Sequence, residues 1–457
     1  MAHSSRHRSR KHSAARLEPL PAAPPAPLYK RISWFGVVAT LLVLLTAAFA
    51  ETPIRDAVTL GEVTEARLEH SVAYLAIAPI SAILDTLTLL GARQHVAIIV
   101  SSIVIYIAIR VWRIRVVPAE ESVTESARPR VVRETAYGAA FLLVIALSYA
   151  AALVVPRPMA SLAAEASDVL IAVDFHSHTR YSHDGRPGWE PADVRGWHRG
   201  AGFDAAYISD HRTVQGAELG VADNPPEAGQ GTLLLQALEA VWRGEHVNIL
   251  DANRGYKGLT SADLRDVDEQ ALTLASLIAN HEPIVIETLP GNLKSIIPAT
   301  GPGTAGVRAI EVIDGSPRGL DQTRLMRSRI VHLADSLNLA MVTGSDNHGW
   351  GRAAPGWTLL IIPGWRGMRT DSLEFAIERA LRLGHDATRV VERRVAGELN
   401  GSNALEVTLT LPIVTWGMLT TLSVDERVMW VIWVWLIVLA VRLTTAWRRR
   451  RRLRRVA

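Results

Sequence analysis

Long apolar runs at both ends of the chain enclose a middle stretch where short apolar runs alternate with amphipathic ones. Ile32 to Ala50 is nineteen residues without a charge, enough to cross a bilayer core. Ser71 to Ile109 is a second apolar region, broken by Gly91-Ala-Arg-Gln-His95. Its first half contains Pro79 and Asp85, and Val96 to Ile109 ends in the basic flank Arg110-Val-Trp-Arg-Ile-Arg115. Ala136 to Val155 is a clear span. Near the other end, Val428 to Val441 is rich in tryptophan and runs into Arg442 and the arginine cluster Arg448 to Arg455. Leu405 to Leu422 reads two ways: Glu406 to Leu411 alternates like a strand, whereas Pro412 to Leu422 would start a hairpin of two spans.

Between these ends, from Val169 to about Val390, the pattern is that of an α/β domain. Short β-like runs (Val169–Val173, Ala205–Ile208, Thr232–Leu235, Val247–Leu250, Ile284–Ile286, Ala309–Val312, Leu339–Thr343) alternate with helical patterns such as Ala262–Ala279 and Gln322–Leu337. Strands alternating with helices predict a parallel sheet or barrel. The expected organisation is a disordered basic arm (1–31), an N-terminal transmembrane region (32–155) and a linker (156–168). A central α/β domain (169–395), a C-terminal membrane segment (396–447) and an arginine-rich tail (448–457) follow.

Charge sets the expected topology. Six arginines between Arg110 and Glu134 favour the cytoplasmic side, as does the basic N-terminal arm. An even number of spans must then separate them, so Ser71 to Gly91 is expected not to cross. Three N-terminal spans and one C-terminal span put the central domain outside the cytoplasm. If Ser71 to Gly91 and Leu405 to Leu422 both contributed spans, four plus two would place it inside. The hydrophobic content of 49% beside 21% charged residues fits a soluble domain joined to membrane helices. The C-terminal arginines suit anionic lipid, so a lipid bilayer is an expected partner.

The chain has no cysteine, which excludes disulfides, thiolate metal sites and cysteine nucleophiles and leaves any metal to His, Asp and Glu. One stretch gathers such residues. Asp174-Phe-His-Ser-His-Thr-Arg-Tyr-Ser-His-Asp-Gly-Arg-Pro follows a β-like run, and His176 and His178, two apart, leave one face of an extended strand. Either His183 or Asp184 could serve as a third ligand. Ala205 to His211 ends in Asp210 and His211, which face opposite ways, so His211 ligates and Asp210 supports. Glu239 ends the run from Leu233, His246 opens His-Val-Asn-Ile-Leu, and Asp346 and His348 repeat the spacing of two. His198, His281 and His332 read as ordinary packing or surface histidines, and Trp189, Trp197 and Trp242 as core.

Taken in order, the His-x-His-Thr opening, Ser-Asp-His-x-Thr, a Glu followed by His-Val-Asn-Ile-Leu, and Gly-Ser-Asp-x-His-Gly resemble the PHP (polymerase and histidinol phosphatase) family over Asp174 to His348. The resemblance implies a distorted (β/α)7 barrel with two or three divalent ions (Mn, Zn, Fe or Mg) that hydrolyses phosphoesters. Carried over, His176, His178, Asp346 and Glu239 would hold one ion, and Glu239 would bridge to a second that also takes His246. Asp184, His211 and His348 would hold a third. Glu239 and Asp346 count as catalytic. Arg212, beside a ligand like Arg180 and Arg186, is the expected catalytic phosphate partner because a guanidinium fork matches phosphate. Two departures stand out. His183 is inserted before Asp184-Gly185, and the family's Ala-His-Pro strand end reads Ile284-Val-Ile-Glu-Thr-Leu-Pro290, with Thr288 at the histidine position and Glu287 as a substitute if the strand end shifts.

These features imply a membrane-anchored phosphoesterase acting on a phosphorylated small molecule through a metal-activated hydroxide. A catalytically weakened domain that binds a phosphorylated ligand or metal, and a nuclease, are the alternatives. With no basic run in the middle domain, nucleic acid is not the favoured partner.

Overall fold

The structure, a computed structural model, describes residues 33–116, 127–242, 244–251, 282–299, 306–393 and 403–456. The expected arm over 1–31 and the helix over Ala262–Ala279 lie outside them. In chain order the elements are α1 (Trp34–Ala47), β1 (Ile54–Asp56), β2 (Ala66–His70), α2 (Val72–Ala76), α3 (Ala78–Thr88), α4 (Ala92–Val116), α5 (Ala127–Val154), β3 (Ala160–Ala164) and β4 (Leu170–Asp174). Then come α6 (Pro191–Ala201), β5 (Ala205–Ile208), α7 (Gln215–Ala222), β6 (Leu233–Trp242), β7 (Glu245–Leu250), β8 (Ile284–Glu287), β9 (Ala309–Asp314), α8 (Pro317–Leu320) and α9 (Arg324–Ser336). The last are β10 (Ala340–Gly344), β11 (Gly356–Ile361), α10 (Thr370–Leu381), β12 (Thr388–Arg393), α11 (Ala404–Thr420) and α12 (Val424–Val456).

One ten-stranded sheet, in the order β1-β12-β11-β4-β5-β6-β7-β8-β9-β10, organises the larger compact unit, Leu42–Trp433. It curls until the backbone beyond β10 meets the backbone beyond β4. Phe175 N–H donates to Thr343 O, Asp346 N–H to His176 O, and His178 N–H to Asn347 O. Ile171, Val173, Tyr207, Leu235, Leu250, Ile286 and Val342 fill one core inside the curl, joined by Leu373 and Ile377 of α10. The strict strand–helix repeat is not kept. β6 and β7 form an antiparallel hairpin, and β7 also runs antiparallel to β8. The hairpin replaces a crossover because only two residues separate Trp242 from Glu245, too few for a parallel return.

Three elements depart from the expected boundaries. β1 lies between the first two apolar regions yet pairs antiparallel with β12, and the stretch read as a linker contains β3, paired with β2. Runs of three and five residues are too short to show a period. Leu405 to Leu422 is helical, not a strand. Asn403 caps α11 by accepting from Glu406 N–H, and Pro412, which has no N–H, leaves Thr408 O without its donor. Ser101 Oγ of α4 donates to that oxygen at 2.7 Å.

Among the described residues, three helices are long and apolar enough to cross a membrane: Ala92–Arg113, Val131–Val154 and Val424–Arg448. The expected first span is a helix of 14 residues, about 21 Å long at 1.5 Å per residue. Ser71 to Gly91 forms helices of 5 and 11 residues, too short to cross. Its Asp85 is fully buried and pairs with Arg157 and Arg393, each at 2.9 Å. Most of the arginine-rich stretch from Arg110 to Glu134 is helical, and Arg110 pairs with Glu134 across it. In the smaller unit, the flanking segments Met1–Leu41 and Val434–Ala457, Gly36 lets two helices approach. A Cβ there would stand 3.2 Å from Val438 Cγ2.

Asp204 sets a measurable pH dependence. Its Oδ2 accepts Ala172 N–H at 2.9 Å, and burial pushes its pKa up to about 6. A raised pKa contributes stability that is full below the unfolded value and lost as pH rises through about 6. Asp204→Asn keeps the acceptor without the charge. Relative to the parent it should gain about 3 kcal/mol at pH 7 and nothing at pH 3.5. Paired thermal melts of the two proteins at both pH values check this.

Candidate metal centre

The segments after β4, β5 and β10, with β6 and β7, bring the candidate ligands to one place. His176 Nε2 and His178 Nε2 lie 2.9 and 3.1 Å from Glu239 Oε2, and 3.4 and 3.3 Å from Asp346 Oδ1. His176, His178 and Asp346 each offer one atom within 4.8 Å of the others, as do His178, His211 and Glu239. Beside them, His348 Nε2 is 3.1 Å and His211 Nε2 3.7 Å from Asp184 Oδ2, and His211 Nε2 is 3.3 Å from Glu239 Oε2. The other oxygen of Glu239 faces His246 Nδ1 at 2.7 Å. All eight candidate ligands thus meet in one cluster. His183 groups with Asp184 and His211, but its side chain is 60% exposed.

The residues fit a cation on two further observations. His178 is fully buried and neither ring nitrogen makes a hydrogen bond, although two carboxylates stand beside Nε2. Burial pushes its pKa down, yet Asp346 and Glu239 outweigh burial and hold it at about 10. The carboxylates therefore demand positive charge at this point, which an ion would supply in place of ring protons. Around it, burial raises and the imidazoles lower the Glu239 and Asp346 carboxyls, and the imidazoles win, leaving Asp346 at about 2. Burial, only partly offset by Glu239, holds His211 at about 4, so it is a neutral ligand at pH 7.

Local geometry aims these groups. Asp346 has a left-handed backbone, φ 45°, which is sparsely populated for a residue with a Cβ and turns its carboxylate back towards His176. Ser182 Oγ donates to Asp184 Oδ1 at 2.6 Å. Asp210 does not face the cluster; it accepts Thr179 N–H and Oγ–H, each at 2.6 Å. Arg212 is exposed and has φ 60°. Arg180 is engaged with Glu190, and Arg186 donates to Gly349 O.

Glu287 does not join the ligands. Val247 is its cross-strand partner, so the two share a face, and Val247 packs with Val285 and Ile249 in the outer core. The strand end is not shifted by a residue, and period two therefore keeps Glu287 outside. Thr288 follows with its N–H and Oγ both donating to His246 O at 3.0 Å.

Supports that the sequence reading passed over lie behind the cluster. Glu311 of β9 is fully buried with Oε1 3.0 Å from His176 Nδ1, and burial, opposed by His176, pushes its pKa up to about 8. His176, Glu311 and Asp314 form a further group of possible ligands. The signal was available: Ala-Ile-Glu-Val-Ile-Asp places two acids in a strand that is otherwise apolar. Asp174 accepts from Ser345 N–H and Oγ–H and lies 2.7 Å from His198 Nε2, so His198 is a packing residue as expected. Trp189, Trp197 and Trp242 are buried.

No family model matches the sequence, and no curated protein matches it. Solved structures do align. PsfC from Pseudomonas syringae is 15% identical, covering 54% of this chain and 97% of its own, with a TM-score of 0.34. A two-domain protein from Bacteroides vulgatus containing a predicted PHP-like metal-dependent phosphoesterase is 16% identical, covering 49% and 65%, with a TM-score of 0.29. The lesion-specific endonuclease EndoQ from Pyrococcus furiosus is 12% identical, covering 47% and 56%, with a TM-score of 0.32. At such scores these likenesses do not decide the activity.

Proposed function

We propose that this chain is a membrane-attached, metal-dependent phosphoesterase. The observation that supports it is the cluster of His176, His178, Glu239 and Asp346, in which Glu239 Oε2 and Asp346 Oδ1 both lie within 3.4 Å of the two imidazoles, with Asp184, His211 and His348 adjoining. In this reading the first four hold one ion and the last three another, while Glu239 bridges to a position shared with His246. Bound divalent ions would supply the Lewis acidity that activates water and neutralises charge on the phosphate during in-line attack. His211, neutral at pH 7, keeps its lone pair for that work. In this reading Arg212, beside His211, would meet a phosphate oxygen with its planar guanidinium.

A second reading is a weakened domain that binds a phosphorylated ligand without turning it over. Thr288 favours it, because its hydroxyl is spent on His246 O and the bridging position has only Glu239 and His246 among the described residues. Metal analysis of the purified full chain, with a panel of phosphate monoesters, diesters and single- and double-stranded DNA, separates the readings. The expected result is at least one tightly held divalent ion and hydrolysis that chelation abolishes and added metal restores. Bound metal with binding but no turnover supports the second reading. Absence of both metal and turnover overturns the first.

A further inference from the structure

The loop that carries Asp346 and His348 continues through Gly349 and Trp350 to Gly351, which meets the end of α5. There Gly351 N–H donates to Leu153 O at 2.9 Å, inside the apolar segment Val131–Val154, and Trp197 Nε1 donates to Gly351 O at 3.2 Å. A Cβ on Gly351 would stand 2.4 Å from Thr88 Cγ2, so its absence lets the loop seat against the end of α3. The neighbouring apolar segment, Ala92–Arg113, meets the barrel at its own start, where Arg93 N–H donates to both oxygens of Asp321 just beyond α8. His95 lies 3.2 Å from Tyr149 Oη, Tyr106 stacks on Phe141 with centroids 4.4 Å apart, and Arg110 meets Glu134. These pairs run in opposite order along the two helices. The helices are therefore antiparallel, and both touch the barrel at the same end.

The open side of the metal centre adjoins that end. His348 and Asp184 are partly exposed, whereas His176 and His178 are buried. Two residues beyond these open ligands stand Trp350 and Arg186. The Arg186 guanidinium lies 5.2 Å from the Trp350 ring centroid, and Arg186 N–H donates to His348 O at 3.0 Å. Trp350 is 46% exposed. Arg180 lies in the same way 4.9 Å from the ring of Tyr181, three residues beyond His178. Accessible tryptophan and tyrosine rings paired with arginine suit the boundary of a bilayer, where the ring meets apolar chains and the cation stays among headgroups. With α5 in a bilayer, Leu153 marks the edge of the hydrocarbon, and the headgroup layer beyond it is about 5–8 Å deep. Three residues of extended chain reach about 10–11 Å at most, so His348 stands close to that layer. We propose that the centre takes its phosphate ester from a lipid of the bilayer in which its own helices sit. The inference rests on the membrane-attached phosphoesterase reading and names its substrate class. In the reaction the oxygen of water bonds to phosphorus, the ester P–O bond breaks, and the departing alcohol oxygen takes the proton that water gives up.

The test uses the full chain, supplied with manganese or zinc, in phosphatidylcholine nanodiscs that also hold phosphatidic acid or phosphatidylglycerol. The matching esters without acyl chains, glycerol 3-phosphate and glycerophosphoglycerol, are added to nanodiscs of phosphatidylcholine alone. p-Nitrophenyl phosphate and bis(p-nitrophenyl) phosphate report phosphoester hydrolysis of any kind. At equal total concentration at least one lipid should be hydrolysed about tenfold or more faster than its soluble counterpart, because a shared bilayer raises its effective concentration. A second arm reads position without activity. The chain has no cysteine, so Trp350→Cys creates a single site for a nitroxide label. That label should be reached by oxygen and shielded from a water-soluble nickel chelate. A label at Leu383→Cys, an exposed position beyond the opposite end of β12 from the Arg393–Asp85 pair, should be open to the chelate. Hydrolysis of the p-nitrophenyl esters with no lipid cleaved faster than its soluble counterpart overturns this proposal alone, as does a label at position 350 open to the chelate. No hydrolysis of any ester overturns the phosphoesterase reading and this proposal with it.

Discussion

Changing Glu239 to glutamine should strip most divalent metal from the purified protein and lower phosphoester hydrolysis by about 10²–10³-fold. Among the described residues, no other carboxylate touches as much of the centre. Its Oε2 stands within 3.3 Å of His176, His178 and His211, and its Oε1 within 2.7 Å of His246. The side chain is only 5% exposed, so solvent cannot replace the lost charge. Removing one member of a buried charged set typically costs about 3–5 kcal/mol, and each 1.4 kcal/mol is about tenfold. Glutamine retains shape and one acceptor oxygen, so packing survives while the anion does not. His246→Ala should do less, because that ring is 53% exposed. Metal content and kcat/KM of the two variants provide the comparison. Full metal occupancy in Glu239→Gln would place the ion elsewhere and sink the assignment.

How far the sequence could be read depends on what carried each signal. The candidate ligands were legible because the spacing of two in His176-x-His178 and Asp346-x-His348 survives at strand ends, where local geometry decides direction. Glu311 was legible only as an acid in an otherwise apolar strand, since nothing local says that it lies behind His176, 135 positions earlier. The same holds for Asp85. In the sequence it is a charge spoiling an apolar run, and its partners Arg157 and Arg393 become visible only when β12 and the chain after α5 are brought beside α3. Alternation misled at Glu406 to Leu411, where threonines at every second position imitate a strand. Helical packing against α4, with Ser101 covering the gap left by Pro412, outweighs that local pattern.

Glu287 and Thr288 turn the missing histidine into a test. Glu287→Gln should leave metal content unchanged and stabilise the protein by about 3 kcal/mol at pH 7. Burial, with Glu245 adding repulsion, pushes the Glu287 pKa up to about 8. A folded-state pKa above the unfolded one gives stability that is complete below about pH 4.5 and is lost as pH rises through about 8. The advantage of glutamine should therefore be absent at pH 4, grow through neutrality and level off above pH 8. Thr288→His addresses the inner face. It gives up the hydroxyl bond to His246 O but would bring an imidazole towards Glu239 Oε1 and His246 Nδ1, three ligands where two stand now. Metal stoichiometry should rise by up to one ion per chain, with a smaller change in the ion held by His176 and His178. If Glu287→Gln instead lost metal, β8 would have to slip by one residue when the ion binds, and the outward placement of Glu287 would not describe the loaded protein.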